Sequence, residues 1–292
     1  TLFSTKERKI NNHDRVKHTT ESVGVASQIL DKEEKEMIAS TNAKELVLNV
    51  DGGHIKTTEE TRSIEAMTAV IYKPEAVKAN KKGTRNLLTS KHCVASVKDD
   101  KQVEIISNTI IAALKQGISK DTHVTALSDG AKNCWNVIDA IKPMCRSVTS
   151  ILDWFHMAMK IESISLPKNL KEKLVRIKWH LWRGKVDNAL IRLEQLIELA
   201  KSNKDIEKIK KFSKYITNNR DRIVDYRWRQ KEGLVFTSNL AESTVESLIN
   251  DRCKGHQHMR WSREGLNPVL QLRAAIHSND WRHKWKDEVL NA

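Results

Sequence analysis

Four cysteines, Cys93, Cys134, Cys145 and Cys253, stand without a Cys-x-x-Cys pair and without histidines at ligand spacing. That pattern argues against a structural zinc site and against a disulfide framework. A reducing cytoplasm suits such thiols. No apolar run approaches the roughly 18 residues that a membrane span needs, and no secretory signal opens the chain, so no membrane partner is expected. Internal repeats and low-complexity tracts are missing as well. The first residue is Thr1 rather than Met, which leads us to expect a further segment upstream.

What is present is a chain of 292 residues, 39% hydrophobic, long enough to bury one large core or one core carrying an insertion. The 51 Lys and Arg against 37 Asp and Glu leave a net charge of +14 and a pI near 9.6. A polyanionic partner is therefore the first expectation.

Residues 1–45 mix acids and bases, carry few large apolar groups, and read as loose helical pieces, with 13–30 as one helix. From Leu46 the pattern changes. LVLNV (46–50), SIEAMTAVIY (63–72) and HCVASV (92–97) are β-rich runs parted by turn-forming residues. The run 103–118 has helical periodicity, HVTALSDG (123–130) reads as a strand ending on Asp-Gly, 131–141 as a helix, and SVTSILDWF (147–155) as a strand running into a helix. The order β-β-β-α-β-α-β-α predicts an α/β fold with a mixed sheet flanked by helices over 46–160. Residues 161–232 are helical throughout and hold 19 Lys and Arg against 10 Asp and Glu, most of the chain's excess charge. Pro167 and Gly233 bracket them as an all-α insertion. Within it Leu190, Leu193, Ile197 and Ala200 are expected to form its own core. Residues 233–292 resume with a capped helix at 238–252 and a basic, Trp-bearing helical tail.

Two strands end, on this reading, with an acid followed by glycine: Asp51 and Asp129. If those strands are neighbours, the carboxylates converge at one edge of the sheet. Their mutual repulsion then calls for a cation, and Mg²⁺ or Mn²⁺ accepts oxygen ligands while keeping sites for water and phosphate. Two such ions about 3.5 to 4 Å apart serve phosphodiester chemistry. Simpler readings remain open: Asp51-Gly52-Gly53 also fits a tight hairpin turn, and Asp129 also fits a helix cap. A third acid comes from the helix after the insertion. Ala241, Val245, Leu248 and Ile249 form its apolar arc, with Glu242 about 20° outside it and Glu246 about 40° further. Asn239 with Glu242 also matches a capping box.

DGGHIK (51–56), ALSDGAKNCW (126–135), ILDWFHMAMKI (151–161), and AES with QHMRWSREG (241–243, 257–265) together resemble the DDE transposases of bacterial insertion sequences, closest to the ISKra type. The resemblance runs from about Leu46 to His277. It implies an RNase H-like catalytic domain with a helical insertion before the last catalytic helix, cutting and joining transposon-end DNA as a homo-oligomer near the nucleoid. Asp51, Asp129 and Glu242 then match the catalytic, metal-holding acids, and Asp153 with His156 match an auxiliary Asp-x-x-His motif. The helix-turn-helix that such enzymes carry at the N-terminus is absent or reduced to 1–45. Asp153 and His156 lie one helical turn apart and fit either a role beside the acids or plain packing. In the tail, Arg252, Lys254, Arg260 and Arg263 surround Trp261, a set suited to phosphates and a stacked base. A solvated basic face with Trp261 in the core is the competing reading. Two other functions stay open beside the transposase: a catalytically silent DNA-binding descendant, and a general RNase H-like nuclease acting on hybrids.

Overall fold

The computed structural model describes residues 4–5, 8–9, 13–33, 42–79, 86–250, 253 and 259–278. Five strands make one sheet: β1 (Glu45–Lys56), β2 (Ser63–Tyr72), β3 (His92–Ser96), β4 (His123–Ser128) and β5 (Ser147–Leu152), in the order β3-β2-β1-β4-β5. β2 runs antiparallel to β1 and β3, while β1, β4 and β5 run parallel. β1 and β2 follow one another through the short connection 57–62, whereas 73–91 between β2 and β3 is longer than the sequence suggests and carries a small antiparallel pair, Val77–Ala79 with Asn86–Leu88. The parallel strands are joined by helical crossovers, α2 (Val103–Lys115) before β4 and α3 (Lys132–Ile141) before β5. The fold is thus a mixed α/β sheet flanked by helices.

Strand β1 is central, and its run Leu46–Val50 is buried without alternation, as expected of a strand covered on both faces. It does not end at Asp51. The antiparallel ladder with β2 continues unbroken from Val47↔Tyr72 to Lys56↔Ser63, through Gly52↔Met67 and Gly53↔Ala66. The hairpin-turn reading of Asp-Gly-Gly is therefore corrected, because the ten-residue β2 pairs with β1 from Val47 to its last residue, Lys56, and moves the reversal to 57–62. The parallel ladder with β4 stops at Val50↔Ser128.

After β5 come α4 (Trp154–Ser163) and then the insertion: α5 (Lys168–Trp182), α6 (Val186–Leu199), α7 (Asn203–Asn218) and the short α8 (Tyr226–Lys231). Its core uses Leu174, Ile177, Ala189, Leu193, Leu196, Ile209 and Ile216, all buried, with Leu190 and Ile197 half-buried against it. Trp154, Trp182, Tyr226 and Phe236 stack where it meets the sheet, with neighbouring ring centroids 4.6 to 6.0 Å apart. Helix α9 (Asn239–Val245) then leads into one π-helical turn, Glu246–Asn250. Its apolar arc is seated as the spacing predicts: Ala241, Val245, Leu248 and Ile249 are all buried.

The last helix among the described residues, α10 (Arg263–His277), covers the free edge of β3 with side chains in place of a sixth strand. Arg263 donates to the Val97 carbonyl (2.7 Å), Asn267 accepts from the Val97 amide (3.2 Å), and Gln271 donates to the Ala95 carbonyl (2.5 Å). Ser278, just past the helix, accepts from the Cys93 amide (2.9 Å). Helix α1 (His13–Glu33) packs on α10 so closely that a methyl on Gly24 would collide with the Pro268 backbone. All four cysteines are buried, and none is in a disulfide. Among the described residues no helix is long and apolar enough to cross a membrane.

Candidate metal centre

Register determines where the acids fall. Val50 pairs with Ser128, and Ser128 with Leu152, so the next residues of three neighbouring parallel strands, Asp51, Asp129 and Asp153, occupy one rung. That rung lies at the carboxyl ends of β4 and β5, beside the point where β1 loses its parallel partner, and such ends are where open α/β sheets bind ligands. Adjacent strands are about 4.8 Å apart, which makes three carboxylates on one rung an electrostatic problem that their surroundings must solve.

Each acid meets it differently. Asp153 is fully buried and saturated with donors: its Oδ1 accepts from the amides of Phe155 (3.3 Å) and Ser238 (2.8 Å). Its Oδ2 accepts from the His156 amide (3.2 Å), His156 Nδ1 (2.7 Å) and the Ser238 hydroxyl (2.8 Å). Burial opposes its charge, but the bonds from His156 and Ser238 outweigh that cost and hold the carboxyl below its ordinary range. Asp129 accepts from the Ala131 amide (2.9 Å) through Oδ1, a contact within the turn, while α3 begins at Lys132 with Ala131 at its N-cap and no side-chain cap, which corrects the helix-cap reading. The same side chain also faces the shared cavity. Asp51 takes the Gly52 amide (2.8 Å) and titrates above its usual value, chiefly through burial, with Asp129 and Asp153 adding to the rise and His156 opposing it.

Helix α9 brings the last acid. The Ser238 carbonyl accepts the first helical amides, those of Ala241 (2.7 Å) and Glu242 (2.8 Å). Ser238 rather than Asn239 therefore stands at the start of the helix, which corrects the capping-box register by one residue. The Ser238 side chain is spent on Asp153, and this anchors the helix so that Glu242 faces Asp51. His156 lies between them: with Nδ1 held by Asp153, its Nε2 is 3.9 Å from Asp51 Oδ2. Burial alone would lower its pKa, but the Asp153 bond and the charges of Asp51, Asp153 and Glu242 raise it to about 9. One ligand atom each from Asp51, His156 and Glu242 lies within 4.8 Å of the others, a spacing that can enclose a cation. Asp129 lines the same cavity beside them.

A model of the uncharacterised protein family UPF0236 matches residues 4–288. The chain belongs to this family. No curated protein matches it. The matched span takes in the sheet, the insertion and α10 together.

In this UPF0236 chain the insertion is latched to the acidic rung. Tyr215 of α7 donates its hydroxyl to the Asp129 carbonyl (2.8 Å), and Tyr226 of α8 donates to the Leu152 carbonyl (2.7 Å). Asn219 accepts from the Trp135 indole (2.9 Å). Gly130 has φ of +95°, and a methyl there would sit within 2.9 Å of Leu152, Asn219 and Tyr215. Sequence reasoning missed Ser238, Tyr215 and Asn219, and nothing in their spacing marks them.

The basic tail residues lie elsewhere. The Trp261 backbone pairs with Lys56 and Thr58 at the end of β1, roughly 17 Å from Asp51 at about 3.3 Å per residue. The Arg263 guanidinium is committed to Glu59 (3.3 Å) and to the Val97 carbonyl (2.7 Å). Arg260 is exposed and Trp261 is partly buried against the core. Arg252 and Lys254 fall outside the described residues, as does the Glu246 side chain.

Proposed function

We propose that the chain is a divalent-metal-dependent phosphoryl transferase acting on DNA, the catalytic part of an insertion-sequence DDE transposase with an RNase H-like core. The observation that carries this reading is the convergence of Asp51, His156 and Glu242, with Asp129 beside them, at the ends of parallel strands in a strongly basic chain. The strand order β3-β2-β1-β4-β5 with β2 reversed supports the RNase H-like reading.

The donor set fits a small hard cation. Carboxylate oxygens suit Mg²⁺ and Mn²⁺, and an imidazole in the set favours Mn²⁺ over Mg²⁺. Asp51 and Glu242 would hold the ion, Asp129 would share it or a second one, and His156 would join through Nε2. Bound there, Mg²⁺ or Mn²⁺ supplies Lewis acidity toward a phosphodiester and its attacking hydroxyl. The remaining work falls to the chain itself. Asp153 fixes the His156 ring by holding Nδ1, the arrangement of a carboxylate-histidine-metal relay. Ser238 fixes the approach of Glu242. The insertion holds the Asp129 turn through the Tyr215 hydroxyl.

Manganese titration read by electron paramagnetic resonance, alongside nicking and strand-transfer assays on transposon-end DNA, tests the proposal. Asp51→Asn and Glu242→Gln are expected to lose both ion binding and cleavage while keeping the fold. Tight DNA binding without cleavage by the wild-type chain would favour the silent DNA-binding descendant. Cleavage confined to RNA–DNA hybrids would favour the general nuclease.

A further inference from the structure

A cleft between the C-terminal end of α4 and α7 lies outside the acidic cluster and is joined to it by one side chain. Tyr215 donates its hydroxyl to the Asp129 carbonyl (2.8 Å). Its ring lines an open cleft of about 380 Å³ together with Lys160, Ser163, Ser165, Lys208 and Lys211. The three lysines differ in their commitments. Lys208 is tied to Asp205 (3.1 Å) and to the Ser165 carbonyl (2.5 Å), so it braces the wall. Lys160 lies 4.0 Å above the Tyr215 ring, and Lys211 is exposed. The nearby acid Glu162 is turned toward Lys171 (3.9 Å) and Lys178 (3.4 Å). Among the described residues no carboxylate pairs with Lys160 or Lys211.

We propose that this cleft seats the phosphodiester backbone of a DNA strand next to the scissile position, with Lys160 and Lys211 each neutralising a phosphate. The proposal rests on reading the acidic cluster as a phosphoryl-transfer centre. Ammonium groups without acidic partners are point charges that grip phosphates regardless of sequence, which suits a site that must hold DNA beside the chemistry without reading it. The Phe212 and Tyr215 rings, 6.2 Å apart, give the cleft an apolar floor for sugar or base. The length of one tyrosine side chain separates the cleft from Asp129, on the order of two nucleotide steps at about 3.4 Å rise per strand. A strand lying across Tyr215 comes within that distance of Asp129.

The test is the salt dependence of DNA binding by the full chain in EDTA, followed by anisotropy of a fluorescent duplex from about 50 to 200 mM salt. Lys160→Gln/Lys211→Gln is expected to reduce the slope of log K against log salt by about 1.8, the value for two lost phosphate contacts. The control Lys44→Gln/Lys120→Gln removes the same charge just ahead of β1 and β4, at the opposite rim of the sheet, and is expected to leave the slope unchanged. Circular dichroism checks that both variants are folded. An unchanged slope in the cleft variant, or an equal loss in the control, overturns the inference alone, since manganese binding and cleavage report separately on the acidic cluster. Absence of DNA affinity in the wild-type chain overturns the inference together with the DNA reading of that cluster.

Discussion

Replacing Asp153 by Asn changes one oxygen for an amino group, and its consequence follows from the five hydrogen bonds the carboxylate accepts. Oδ1 faces two backbone amides, and Oδ2 faces one amide, the His156 ring and the Ser238 hydroxyl. With the amino group at Oδ1 it meets two backbone amides and both contacts are lost; at Oδ2 it meets the His156 amide, and the His156 ring and the Ser238 hydroxyl must reverse their roles, so at least one contact is lost and the charge with it. An unmade hydrogen bond to a buried group costs about 1 to 3 kcal/mol, and removing one member of a buried ion pair costs about 3 to 5 kcal/mol in total. The expected loss is therefore about 3 to 5 kcal/mol, a large part of the roughly 5 to 15 kcal/mol that a domain possesses. Urea unfolding in EDTA measures it as a lower midpoint with an unchanged m-value. Because Asp153 also holds His156 and, through Ser238, the helix carrying Glu242, manganese affinity is expected to fall about 10- to 100-fold, the usual effect of losing a residue that orients a ligand. A stability loss under about 1 kcal/mol together with unchanged manganese affinity would refute the claim that this carboxylate positions the site.

Gly130→Ala forces a side chain into a left-handed turn against Leu152, Asn219 and Tyr215, so a loss of at least about 2 kcal/mol is expected, seen as a Tm several degrees lower. Glu104 is buried against Ser96 (2.6 Å), Asn267 (3.0 Å) and Lys98 (2.6 Å). Burial penalises its charge, but these partners outweigh it and depress its pKa. Its contribution is thus present above the ordinary value of 4.5 and lost as pH falls through the lower folded value. Urea midpoints of Glu104→Gln between pH 3 and 7 should therefore lie below wild type near neutrality and converge with it in acid, and a constant offset would contradict the assignment. Gln271→Leu strips a donor from the β3 edge, leaving the Ala95 carbonyl unmet. It is expected to cost about 1 to 3 kcal/mol by the same unfolding assay.

Much of the sheet was legible because its strands are short β-branched runs whose limits coincide with polar breaks, and 63–72 matches its strand residue for residue. Asp51 was placed correctly for a reason that did not hold. It sits at the rim because β4 stops beside it, while β1 itself continues, and only the pairing partner reveals the difference. The alignment of Asp51, Asp129 and Asp153 on one rung is likewise a property of register, which no local pattern carries. Arg263 reads as a phosphate ligand because its neighbours are basic. Its actual commitment to Glu59 and the Val97 carbonyl depends on an edge strand far away in sequence. The helical insertion was visible from its periodicity, but its hold on Asp129 through Tyr215 rests on a single hydroxyl.

The order in which the residues of the candidate metal centre occur along the chain has a consequence for synthesis. Asp51, Asp129 and His156 leave the ribosome on β1, at the end of β4 and on α4, elements that can already assemble, but Glu242 follows only after the whole insertion has emerged. A nascent polypeptide therefore carries the cluster without its last carboxylate while the insertion is being made. Completion of the cluster coincides with the seating of α9.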